Sequence, residues 1–219
     1  MSSTPIGLAL ETSGNEGSVA LDDVDPARTF RFTEGMAHGK MLLPSAERLM
    51  ADAGIKRPDY VAIGIGPGSY TGLRIGVTVA RTLAWTWDCP LLGIPSLTAL
   101  ASQVGLTRKT VVTAVDAGQG EIYAASFSWQ DGVPRAITEP TMGPPEEMRA
   151  EFPTDAFYVG DGCAKMGVAP AIDGLAPDAT GVLRLARQRF LAGEKDRIQT
   201  VLPLYLRASE AERRFEART

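Results

Sequence analysis

The sequence predicts an α/β protein made of two related halves, each a mixed sheet flanked by helices. Three observations predict it. Apolar stretches of strand length come first as a run of three, then alternate with helical periods. A shorter series of the same kind begins near residue 110. An apolar strand ending in a carboxylate, then a small polar turn and a second strand, occurs twice. It reads IGLALETSGNEGSVAL and TVVTAVDAGQGEIYAASFSW, with Glu11 and Asp116 in matching places.

IGLALET sets Ile6, Leu8 and Leu10 on one face, and GSVALDD and RTFRFTE come after short polar turns. These three strands read as an antiparallel meander. In MLLPSAERLMADAG, Leu43, Ala46, Leu49, Met50 and Ala53 share a helical face, and Gly54 supplies the stop. DYVAIGIG is a short buried strand that runs into GIGPGSYTGLRIG. A long helix to Trp87, the strand PLLGI and a helix opened by Ser96 complete a first half, 1–105. In the second half, 106–219, strand, turn and strand hinge at Gly118 to Gly120, and FYVGDG is a further strand. GVLRLARQRFLAG and PLYLRASEAERRFEA read as helices, the last one packing back on the body. Pro140, Pro144, Pro145 and Pro153 make the middle of this half loop-rich.

The chain has 219 residues, 44% apolar and 22% charged, which is an ordinary globular composition. Its net charge of −4 disfavours an unaided grip on nucleic acid, which needs a basic face. Cys89 and Cys163 are far apart and read as small buried hydrophobes. MSSTPIGLALETSG has no basic start and its apolar run is broken by Glu11, so it does not read as a signal peptide. No stretch is long and apolar enough to cross a bilayer, and the cytoplasm is the expected location.

The glycine loop is the first candidate for chemistry. A strand, Gly66-Pro67-Gly68, a Ser69 or Thr71 cap and a helix aim backbone N–H groups in one direction, which suits an anion. The P-loop lysine is missing, and Gly66-x-Gly68-x-x-Thr71 lacks the third glycine of the dinucleotide fingerprint. The plainer reading is a tight turn that presses the helix onto the sheet. Gly66, Gly68 and Gly72 are then structural, with Gly66 or Gly68 at positive φ. The helix itself is apolar on more than half its circumference. Leu73, Val77, Ala80, Ala84 and Trp87 make one stripe, Ile75, Val79 and Leu83 another, and Arg74, Thr78 and Arg81 the polar remainder. One stripe docks on the sheet. The other needs either the second half of the chain or another subunit.

Glu11-Thr12-Ser13-Gly14-Asn15-Glu16 and Asp116-Ala117-Gly118-Gln119-Gly120-Glu121 each carry an extra acid where a nucleotide turn would face phosphate. Two acids repel phosphate unless a metal intervenes. Glu11, Thr12, Ser13, Asp116 and Gly118 therefore read as degraded nucleotide turns, or simply as turn caps. The rival reading is an active ATPase or small-molecule kinase with Glu11 and Asp116 flanking magnesium. His38, the sole histidine, reads as a loop residue, and with two scattered cysteines it makes no soft-ligand metal site.

The order of the first half is that of the ribonuclease H-like unit, which occurs in pairs in actin, sugar kinases and Hsp70-type ATPases. GIGPGSYTGLRIGVTVARTLAW goes further. It resembles the GPGSFTGLRIG segment of the TsaB family of bacterial tRNA threonylcarbamoyladenosine biosynthesis proteins. LALETSGNEGSVAL, LLGIPSLTALA, VDAGQGEIYAASF, VGDG and PLYLR extend the resemblance over most of the chain.

The resemblance implies a two-lobed actin-like (Hsp70-like) fold with ribonuclease H-like halves, and a subunit without catalysis of its own. Such proteins pair with a larger paralogue, TsaD, which transfers threonylcarbamoyl from an adenylate to the adenosine beside the anticodon. A small ATPase, TsaE, joins them. The expected partners are thus TsaD, TsaE, a second copy when the chain is alone, and tRNA only through the complex. The contact is expected on Leu73, Arg74, Val77, Val79, Ala80, Arg81 and Leu83. No resident metal or cofactor is expected, with ATP or ADP at the subunit interface as the one nucleotide candidate. TsaD, a metalloprotein, carries an H-x-x-x-H motif after the matching helix, whereas PLLGIPSLTALASQVG here has no histidine.

Overall fold

The structure, a computed structural model, describes residues 4–33, 37–105 and 107–207, with the backbone alone at 37 and 38. The first half runs β1 (Gly7–Glu11), β2 (Glu16–Leu21), β3 (Arg28–Thr33), α1 (Ala37–Asp52), β4 (Tyr60–Gly64), α2 (Tyr70–Thr86), β5 (Leu91–Ile94) and α3 (Ser96–Ser102). Its sheet has the order β3-β2-β1-β4-β5, with the meander antiparallel and β1, β4 and β5 parallel.

The second half runs β6 (Val111–Gly118), β7 (Glu121–Gln130), β8 (Val133–Ala136), β9 (Thr141–Gly143), α4 (Pro145–Glu151), β10 (Phe157–Val159) and α5 (Ala179–Leu191). The order β10-β6-β7-β8 repeats β4-β1-β2-β3 strand for strand, with the same parallel and antiparallel pairings. Two such mixed sheets flanked by helices make the two-lobed actin-like fold.

β1 and β4 are buried along their whole length, because helices cover both faces of the first sheet. Leu8, Leu10, Val61 and Ile63 face α1 and α2. Ala9, Tyr60, Ala62 and Leu92 face the other way, onto Ala179, Val182, Leu183 and Ala186 of α5. The two halves thus exchange helices. α5 comes after the second sheet in sequence and packs on the first, while Leu97, Leu100 and Ala101 of α3 pack on Val111, Val115 and Phe127 of the second.

Several elements differ from the sequence reading. β9 and α4 form where Pro140, Pro144, Pro145 and Pro153 suggest loops, and β8 is a further strand before them. Pro134 sits in the β8 strand that pairs with β7 alone, and Pro145 opens α4, positions where a missing N–H is tolerated. In α1 the buried stripe is Leu42, Ala46, Leu49 and Met50, with Leu43 40% exposed, so the inward face is turned by one residue. The helix ends as expected at Gly54, φ +68°, with the Ile55 N–H closing on the Met50 carbonyl at 2.9 Å. The His38 backbone lies in the first turn of α1 and not in a loop; its side chain lies outside the described residues. The segment 201–207 is extended and not helical, and 208–217 of that expected helix lies outside the described residues. Among the described residues no helix is long and apolar enough to cross a membrane.

Candidate functional site

The glycine loop is a device for close packing. A Cβ on Gly68 would land on the Ser13 backbone, one on Gly72 on the Thr12 carbonyl oxygen, and one on Gly76 on Thr12 Oγ1. The start of α2 therefore presses directly on the β1–β2 turn. Hydrogen bonds fix the contact. The Ser69 N–H donates to the Ser13 carbonyl at 2.7 Å, and the Thr12 hydroxyl to the Gly72 carbonyl at 2.8 Å. Ser69 caps the helix by accepting from the Gly72 N–H. Gly66 takes φ +100°, a region that favours glycine.

Glu11 lies beneath this joint, fully buried. Its Oε1 accepts from the Thr12 N–H at 2.8 Å and the Ser13 N–H at 2.7 Å, and its Oε2 from the Ser96 hydroxyl at 2.8 Å. Ser96 Oγ in turn accepts from the Gly66 N–H at 3.0 Å. Gly64 leaves the carboxyl its space, since a Cβ there would overlap it. Burial pushes the Glu11 carboxyl above its ordinary range, and the donors from Ser13, Ser96 and Thr12 oppose that rise only in part.

The matching carboxylate, Asp116, is one-third exposed. It accepts from Lys165 Nζ at 2.6 Å and the Gly118 N–H at 2.7 Å, and its own N–H donates to Asp161 at 2.9 Å. Burial alone would raise its pKa, but Lys165 and the Gly118 N–H outweigh it and hold the carboxyl below its usual value.

A cleft of about 680 Å³ separates the two turns, walled by the start of α2 and by Tyr205 to Arg207. Ser13, Asp116 and Gly118 line it, whereas Glu11 and Thr12 are buried below its surface. The pair that would flank magnesium in the rival reading is thus not brought together. Among the described residues no three His, Cys, Asp or Glu side chains gather in a group that could hold a metal ion.

The contact surface expected on α2 needs correction. Leu73, Val77, Ala80 and Leu83 are 0–8% exposed, inside the chain's own core. The sheet takes one apolar stripe, and the neighbourhood of α1 takes much of the other, with Ile75 and Val79 half-buried against the same core. Arg74 is exposed, over the Tyr70 ring at 5.5 Å, and Arg81 is half-buried. The open face carries Thr78, Thr82 and Trp85, the last 76% exposed beside a hollow of about 320 Å³.

Sequence reading misses the partners of these groups. Ser96 is legible as a helix opener, but its bond to Glu11 spans 85 residues. VGDG does carry a signal: Gly160 has φ +110°, and a Cβ there would land on the Ala114 carbonyl oxygen. Nothing in the sequence marks Lys165, Tyr70 or Arg207.

Comparison with known proteins agrees with this architecture. Residues 34–173 match the family model described as TsaD: tRNA N6-adenosine threonylcarbamoyltransferase. The tRNA threonylcarbamoyladenosine biosynthesis protein TsaB of Haemophilus influenzae is 29% identical over 222 residues, covering 91% of this chain and 92% of its own. TsaB of Escherichia coli K12 is 29% identical over 224 residues, covering 93% and 95%. The solved structure of YeaZ from Pseudomonas aeruginosa superposes with a TM-score of 0.80 at 30% identity, covering 92% of this chain and 100% of that one. The repeated sheets, the glycine-faced helix and these likenesses converge: the chain belongs to the TsaD family, on its TsaB (YeaZ) branch.

Proposed function

We propose that the chain is a non-catalytic subunit in the synthesis of threonylcarbamoyladenosine on tRNA. It pairs with the larger paralogue TsaD, which carries out the transfer to the adenosine beside the anticodon. One observation carries this reading: Glu11 fills the first nucleotide turn from inside. The N–H groups of Thr12 and Ser13, which would cradle a phosphate, are taken by the chain's own carboxylate. A phosphate arriving there finds those donors occupied.

The names of the relatives support the pathway, and the family match supports kinship with TsaD. The free face of α2, with Trp85 at its centre and Arg81 and Thr78 beside it, is the surface offered to TsaD. An exposed Trp flanked by Arg has the composition of an interface anchor. A second copy occupies this face when TsaD is absent, and TsaE joins the assembled pair. With a net charge of −4 the chain meets tRNA through the complex and not alone, in the cytoplasm. No resident cofactor belongs to this reading; a nucleotide trapped between subunits near Arg74 is compatible with it.

The test is co-purification with the TsaD of the same organism, then tRNA modification with and without this chain. Modified adenosine should form only when both proteins are present. Trp85→Ala should weaken pairing by about 2 kcal/mol, read by calorimetry, with an unchanged melting temperature. The rival reading, an active ATPase or kinase, draws on the 680 Å³ cleft with Asp116 on its wall. Micromolar Mg-ATP binding by the isolated chain, abolished by Asp116→Ala, would overturn the proposal in its favour.

A further inference from the structure

The segment 201–207 belongs to neither sheet, yet it touches both halves. Val201 is buried in the first core. The Leu204 N–H donates to the Ile65 carbonyl at 2.7 Å, just before the glycine loop. Tyr205 stacks on Tyr70, the first residue of α2, with ring centroids 4.8 Å apart. Leu206 packs against the core of the second sheet. Arg207 bonds the Gly118 carbonyl at 3.2 Å and pairs with Glu121, across the β6–β7 turn. Tyr205, Leu206 and Arg207 are also a wall of the cleft.

The other ties between the halves include the exchanged helices, whose apolar residues are buried. This one is light. A single backbone hydrogen bond to the rest of the chain holds it among the described residues. Leu202 and Tyr205 are 58% and 42% exposed. Arg207 Nε is buried and finds no acceptor among the described residues. Segments held by few buried contacts open locally, without global unfolding.

We infer that 201–207 is a releasable clasp across the cleft. Fastened, it walls the cleft, covers the Tyr70 ring and ties the glycine loop to the β6–β7 turn. Released beyond Val201, which stays buried in the first core, it joins the cleft and the start of α2 into one open surface. Gly66 is shaped to receive it: the Leu204 carbonyl oxygen lies 3.1 Å from where a Cβ would stand. An acidic group competing for Arg207, or a planar ring competing for Tyr70, unfastens it.

Native-state hydrogen exchange of the full chain, read by mass spectrometry, tests the clasp. Arg207→Ala and Tyr205→Ala should each speed exchange about tenfold in segments 201–207 and 118–121. Peptides from β1, β4 and α5 should keep wild-type rates. Tyr205→Phe, which keeps the ring, should behave as wild type. Unchanged exchange at 118–121 in both alanine variants would overturn the inference. So would a uniform acceleration that includes β1, β4 and α5, because the segment would then be part of the global fold.

Discussion

Glu11 closes β1, and Asp116 stands at the equivalent place on β6. Glu11 is fully buried and takes its three donors from Thr12, Ser13 and Ser96, whereas Asp116 is one-third exposed and rests on Lys165. The repeated topology delivers a carboxylate to each turn, but the element after the parallel neighbour, β4 or β10, decides its environment. After β4 comes α2, whose glycine face closes over the first turn. After β10 comes a short 3-10 turn, Asp161–Cys163, and among the described residues no helix presses on the second turn. One turn has become a joint of the fold, and the other has stayed a surface feature of the cleft.

The largest expected difference lies in the glycines. Gly72→Ala puts a Cβ on the Thr12 carbonyl, backbone that cannot swing aside. It should cost about 3 kcal/mol, a fall in Tm of roughly 6–12 °C. Gly118→Ala meets nothing within 4 Å and suffers only its φ of +71°, a cost of about 1 kcal/mol. Equal losses in thermal melts would break the contrast.

Removing one carboxylate partner in each half sharpens it. Ser96→Ala deprives a buried carboxylate of a donor and the Gly66 N–H of its acceptor, and should cost about 2–3 kcal/mol in urea unfolding. Lys165→Ala removes a pair about one-third exposed and should cost under about 1 kcal/mol.

The pH dependence should be smaller and opposite in sign. Glu11 has its pKa raised from 4.5, so the folded state holds its proton more tightly than the unfolded chain does. Stability falls as pH rises from 4.5 through the raised value, and Glu11→Gln should abolish that slope. Asp116 has its pKa lowered from 3.8, so its contribution is complete above that value and is lost as pH falls through the folded one. The deficit of Asp116→Asn against wild type should therefore be full near neutral pH and vanish in acid.

The element order of the first half, the meander, the duplication and the glycine loop are legible in the sequence, because each rests on local periodicity or on turn chemistry. The inward turn of Glu11 is not, since it depends on Ser96 and on space left by Gly64. Both apolar stripes of α2 can be read, but which neighbour covers the second cannot. PLYLR reads as helix when joined to the charged residues after it, although Leu202, Leu204 and Leu206 alternate with period two, as in an extended segment.

The exchange of α3 and α5 has a consequence for synthesis. The first sheet emerges from the ribosome with Tyr60, Leu92 and Ile94 uncovered, and they stay so until α5, ending at Leu191, has been made. A nascent chain halted at residue 105 carries that sticky face in water and becomes a client for chaperones. Maturation of the earliest-made layer is thus among the last events in the birth of the molecule.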